Sequence, residues 1–232
     1  MPQIMVLGES GFGKSASYQN KPELGIKGLD PNETFVITAT TKMLPSYYKL
    51  TTPEKLKEGN RIYSNDGKVV ANVIKLLAKS PFKNIIIDDV NYLMQDYYMK
   101  NALSGGWDTP KNIGFFMGLL FDACAEASLS GKNVIIFGHY EEYKKDTIGT
   151  IGYRMKTTGN MTREYITPEG KMDILMFGKT DVDFKTGKVS KVFVTENDGV
   201  YPAKSQGIFE DLYIPNDMGY VIEKVNAYYN GD

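Results

Sequence analysis

A glycine-rich octapeptide, GESGFGKS at residues 8–15, follows directly on the apolar run Ile4-Met5-Val6-Leu7. No other feature constrains the fold as much, because the order demands a buried strand, a tight turn and a helix start in succession. The segment fits the phosphate-binding pattern of Gly, four free positions, Gly, Lys and a hydroxyl residue. Gly8, Gly11 and Gly13 let the backbone turn so that several N–H groups point into one anion-sized hollow, with Glu9, Ser10 and Phe12 filling the free positions. Lys14 is placed to reach outer phosphates and Ser15 to offer its hydroxyl to Mg²⁺, while the helix start contributes its positive end. A phosphate loop of this kind takes a nucleotide, with Mg²⁺ beside it.

Downstream, short apolar runs alternate with helical patterns. Thr34–Ala39 reads as a buried strand introduced by Asp30-Pro31-Asn32, and residues 40–66, broken by Pro45, Pro53 and Gly59, read as an irregular excursion. Val69–Lys79 places Val70, Val73, Ile74 and Leu77 on one helical face. Asn84–Asp89 is an apolar run ending in two carboxylates. A long helix over 110–129, capped by Asp108 or Thr109, stops at Gly131 and leads into the strand Asn133–Gly138. Such alternation predicts a mainly parallel sheet covered by helices on both faces. After residue 160 the rhythm changes: Pro168-Glu169-Gly170 and Lys185-Thr186-Gly187 read as hairpin turns linking extended segments near 161–167, 171–184 and 188–195. A final helix over about 216–229 buries Val221, Ile222 and Val225. One domain spanning 1–232 is expected, with its core at about 3–140 and a β-hairpin extension at about 160–200.

The metal requires a carboxylate from the end of a neighbouring strand, and Asp88 is the candidate. Asp89 is then placed to polarise an attacking water, since phosphoryl transfer needs a positioned nucleophile more than covalent help. A plain helix cap is the alternative for both. His139, the chain's one histidine, ends the next strand, where it could meet a terminal phosphate or the attacking water.

Taken in order, GESGFGKS, IIIDD, VIIFGHYEE and YPAKSQG resemble the phage-encoded RecA-like ATPases grouped as a phage AAA domain, which include single-strand annealing and recombination helpers. The likeness runs over roughly residues 3–229. It implies an α/β RecA-like P-loop NTPase core with C-terminal β-hairpins, Mg-ATP as ligand and assembly into a homo-oligomeric ring or filament. It also implies that His139 senses the terminal phosphate and that Lys204 lies near a subunit interface, as a further catalytic residue. One departure stands out. RecA-like enzymes commonly carry a catalytic glutamate at the end of the second strand, where this chain has Ala39-Thr40-Thr41. Either Asp89 replaces it, or hydrolysis is slow and nucleotide acts chiefly as an assembly signal.

Single-stranded DNA is the expected polymer ligand. Lys144, Lys145, Arg154, Lys156 and Arg163 lie in residues 143–163 with Tyr143, Tyr153 and several glycines, read as a basic loop suited to phosphate attraction and base stacking, with an ordinary solvated loop as the alternative. On the resemblance, the segment falls where RecA-like proteins carry their second DNA-binding loop. Ser104-Gly105-Gly106-Trp107 is a second candidate, for stacking or subunit contact, with packing of Trp107 against the sheet as the favoured alternative. A net charge of −1 gives no global field toward nucleic acid or anionic lipid, so any such binding must be local. The lone cysteine, Cys124, sits in an apolar helical stretch and cannot form an internal disulfide, which suits a reducing, cytoplasmic compartment. No membrane partner is expected. The competing reading is a nucleotide-binding assembly or structural protein with weak hydrolysis and no DNA ligand; a small-molecule kinase is disfavoured because no arginine-rich lid motif follows the core.

Overall fold

In the computed structural model, which describes residues 1–103, 108–145 and 150–231, the chain begins with β1 (Gln3–Leu7), the phosphate loop and a single helical turn, α1 (Lys14–Ser17). Then come β2 (Thr34–Thr38), β3 (Arg61–Tyr63), α2 (Gly67–Leu77), β4 (Asn84–Asp88), α3 (Asn91–Asn101), α4 (Asp108–Leu129) and β5 (Asn133–Gly138). The remainder is β6 (Tyr140–Lys144), β7 (Ile151–Met155), α5 (Met161–Tyr165), β8 (Ile174–Asp183), β9 (Lys188–Val194), β10 (Tyr213–Pro215) and α6 (Met218–Asn230).

Among the described residues one eight-stranded sheet runs in the order β10-β9-β8-β1-β5-β4-β2-β3. The strands from β8 to β3 are mutually parallel, and β9 and β10 add antiparallel pairing at one edge. The expected fold class is thus observed: a mainly parallel α/β sheet flanked by helices, with a C-terminal β-hairpin. Period-two alternation divides each central strand between two cores. Met5, Leu7, Ile37, Ile85, Ile87 and Ile136 face the side covered by α2 and α4. Ile4, Val6, Val36, Ile86, Ile135 and Phe137 face α6, through Met218, Val221, Ile222 and Val225. Because β5 lies between β1 and β4, the phosphate loop and the Asp88-Asp89 pair emerge two strands apart at the same sheet edge, with His139 between them.

Several expectations need correction. The 40–66 excursion contains the edge strand β3, held beside β2 in parallel register. Residues 161–165 are helical rather than extended, and Pro168–Lys171 is a 3₁₀ turn rather than a hairpin. The described part of the basic segment is the paired strands β6 and β7 followed by α5, and residues 146–149 of it lie outside the described residues. By length and composition α4 could cross a membrane, which the apolar pattern alone did not bring out. Ile113, Phe116, Met117, Leu120, Phe121, Cys124 and Ala127 commit one of its faces to the core. The Lys185-Thr186-Gly187 turn and the final helix stand as expected. Ser104–Trp107 lies outside the described residues.

Candidate nucleotide site

Gly11 and Gly13 adopt φ of 81° and 105°, in the left-handed region that lets the loop curl around its own centre. The loop is braced from below and from the side. Phe12 packs over Gly178, where a Cβ would come within 2.5 Å of its ring, and sits against Phe193. Lys191 on β9 donates to the Gly11 carbonyl at 2.7 Å, and Asn216 Nδ2 donates to the Gly13 carbonyl at 3.4 Å. With α1 only one turn long, the helix contributes little macrodipole, and the loop N–H groups and nearby cations supply the positive potential over the loop.

A cleft of about 460 Å³ opens over the loop, lined by Ser10, Gly11, Lys14, Ser15, Thr40, Lys42, Asp89, Tyr92 and His139. Lys14 folds back over the loop and donates to the carbonyls of Gly8 (2.8 Å) and Glu9 (2.9 Å). Burial pushes the pKa of its ammonium down to about 8, against the opposing pull of Asp89 and Asp88.

The Asp88 carboxylate is fully buried. Its Oδ2 accepts from Ser15 Oγ at 2.7 Å and from the Tyr18 hydroxyl at 3.0 Å, and Lys42 Nζ stands 3.2 Å away. Its Oδ1 is buried with no hydrogen-bond partner. A buried carboxylate with one orphan oxygen, its other oxygen bonded to the loop hydroxyl, is the chemistry that a hard cation satisfies, so the residues present fit Mg²⁺. Among the described residues no group of three or more His, Cys, Asp or Glu could hold a metal. An ion at Ser15 and Asp88 would therefore draw its other ligands from phosphate and water.

Asp89 has φ of 65°, unusual for a residue with a Cβ. That conformation turns its carboxylate into the cleft, where Oδ2 meets Lys42 Nζ at 2.6 Å and Thr40 Oγ1 at 3.4 Å, and Oδ1 lies 3.6 Å from His139 Nε2. His139 in turn sets Nδ1 3.1 Å from the Gly8 carbonyl and 3.4 Å from Lys14 Nζ. Its backbone N–H donates to Asn91 Oδ1 at 2.6 Å, and Tyr92 stands edge-on to the ring. Burial, then Lys14, lower the imidazole's pKa, so it is neutral at neutral pH.

The phosphate loop, Ser15, Asp88, Asp89 and His139 are thus brought together. Lys204 is not with them. Its backbone pairs with Leu175, level with Met5 in the β1–β8 register and so at mid-sheet, and it does not line the cleft. Of the basic segment, Arg154 and Arg163 both bind Glu141, at 2.9 and 2.7 Å. Glu141 lies just before the segment read as basic. Sequence reasoning missed Lys42, one residue beyond the Ala39-Thr40-Thr41 stretch inspected for a glutamate. Lys42 binds both carboxylates, and these outweigh the burial that would lower its pKa, so the net shift is upward.

No protein-family model and no curated protein matches the chain. Among solved structures, a KaiC-like protein of the hyperthermophilic archaeon Pyrococcus horikoshii is similar at 13% identity and a TM-score of 0.44, over 83% of this chain and 77% of that one. A likeness so faint carries nothing about chemistry; the site must speak through its own residues.

Proposed function

We propose that the protein is a P-loop nucleoside triphosphatase that binds Mg-ATP and hydrolyses it. One observation carries this reading: Ser15 Oγ, the last residue of the phosphate loop, bonds Asp88 at 2.7 Å and leaves the second oxygen of that carboxylate buried and unpartnered. Ser15 and Asp88 would hold Mg²⁺, directly or through water, and the ion would neutralise charge on the outer phosphates. Lys14 would leave its two carbonyls for the phosphates it faces. Asp89 would accept a hydrogen bond from the attacking water, in place of the glutamate that RecA-like enzymes carry on the second strand. Neutral His139, within reach of both Asp89 and Lys14, would report the state of the terminal phosphate. A second hollow of about 360 Å³ adjoins Gly13 and Ala16, flanked by Leu24, Ile26 and Val189. Asn216 also lines it and has a buried, unpartnered Oδ1, so this hollow would take the nucleoside end. Phosphate release from ATP, measured with Mg²⁺ and with EDTA, tests the reading.

The finer reading follows the phage AAA-domain resemblance: a ring or filament acting on single-stranded DNA in phage recombination or replication. In its favour, the β6–β7 hairpin leaves β5 directly after His139, and Lys156 N–H donates to the His139 carbonyl at 2.8 Å. A change at His139 would reach the hairpin by that bond. Lys204, away from its own cleft, would act on that of a neighbouring subunit. ATP turnover with and without single-stranded DNA, together with particle mass with and without nucleotide, separates this from an assembly protein that binds no DNA.

A further inference from the structure

Lys42 stands where a metal ion would. Its ammonium lies 2.8 Å from Ser15 Oγ, 3.2 Å from Asp88 Oδ2 and 2.6 Å from Asp89 Oδ2. Two of these three atoms belong to the residues that fit Mg²⁺. A magnesium ion held at about 2.0–2.1 Å from Ser15 Oγ and the Asp88 carboxylate would meet the Lys42 ammonium on the same hydroxyl and carboxylate, so the two compete for one small site. They cannot share it, since both are cations drawn to one pair of carboxylates.

We propose that Lys42 is an exchangeable counter-cation of the metal site, a role that rests on the nucleotide reading above. It holds Ser15, Asp88 and Asp89 together in the nucleotide-free protein and yields its place to the divalent ion that arrives with nucleotide. The local build suits exchange. Arg61 donates to the Lys42 carbonyl, which fixes the backbone, while the side chain remains 30% exposed and lines the cleft. The head can therefore swing while its anchor stays. Lys14 does not hold the carboxylates in this structure, where its ammonium is on the Gly8 and Glu9 carbonyls. An internal cation also removes the cost of leaving two adjacent carboxylates buried and uncompensated. The consequence is selectivity: the empty site refuses free metal, and only metal delivered with phosphate is held firmly.

The test uses Mn²⁺ alone as probe, read by electron paramagnetic resonance without nucleotide. Wild type should bind Mn²⁺ at least tenfold more weakly than Lys42→Met, which keeps the stem and removes the charge. Lys42→Arg, which keeps a cation, should stay near wild type. Adding Asp88→Asn to Lys42→Met should abolish the gained binding, placing it at this site. Equal Mn²⁺ affinity in wild type and Lys42→Met, or a gain that survives Asp88→Asn, would overturn the role of Lys42. Failure of wild type to bind ATP in a parallel titration would overturn the nucleotide reading instead.

Discussion

Ser15 and Asp88, 73 residues apart in sequence, share a 2.7 Å hydrogen bond at the base of the cleft. The bond joins the end of the phosphate loop to the end of β4 across the intervening strand β5, and on the proposed reading it marks where the cation is held. Asp88→Asn should therefore bind ATP with little difference between Mg²⁺ and EDTA, whereas wild type should bind far more tightly with Mg²⁺. Calorimetry under both conditions makes the comparison, and a normal Mg²⁺ dependence in Asp88→Asn would place the metal elsewhere.

Asp89 is bent into the left-handed region and faces the cleft rather than capping α3, for which no side-chain cap bond is found. Asp89→Asn should keep nucleotide affinity and lose turnover by a factor on the order of a hundred or more. Wild-type turnover in this variant would leave the positioning of water to another group.

Much of this was legible in the sequence for a physical reason. The parallel strands are buried on both faces and read as continuous apolar runs, and the turn after β1 carries its glycines at fixed spacing. Gly8–Ser15, Asp88 and His139 all lie at the C-terminal ends of such runs, β1, β4 and β5. Less visible were features set by long-range pairing. β3 is three residues long and depends on β2 for its existence. The pairing of Glu141 with both Arg154 and Arg163 follows from the β6–β7 register, and a charge count along the chain does not display it. Lys42 lies in an irregular loop with no periodic signal, and only the folded sheet brings it onto Asp88 and Asp89.

That Glu141 pairing redistributes the DNA expectation. Arg154 and Arg163 are engaged with a carboxylate, so Lys144, Lys145 and Lys156 are the cations to test. Replacing these three with Ala should weaken single-strand binding and reduce its salt slope by about 0.7 for each phosphate no longer neutralised. Fluorescence anisotropy across a salt series measures both. An unchanged slope would remove the hairpin from any DNA surface.

Asp217 does more than cap α6. Its carboxylate accepts from Gly219 N–H at 2.8 Å and also from Lys27 N–H at 2.8 Å and Gly28 N–H at 2.9 Å. Asp217→Ala would strand these donors and should cost about 3 kcal/mol. Asp66→Ala, at the exposed cap of α2, should cost about 1 kcal/mol. Urea unfolding of the two variants tests the ranking, and similar losses would contradict it.

On the proposed reading the hollow above Gly11 and Gly13 takes the phosphates of Mg-ATP with Lys14 against them. Isothermal calorimetry of ATP with Mg²⁺, on wild type and on Lys14→Ala of verified fold, decides it. Wild type should show saturable one-site binding, and Lys14→Ala should lose it by a hundredfold or more. Equal affinity in the two proteins, or no ATP binding by wild type, would contradict it.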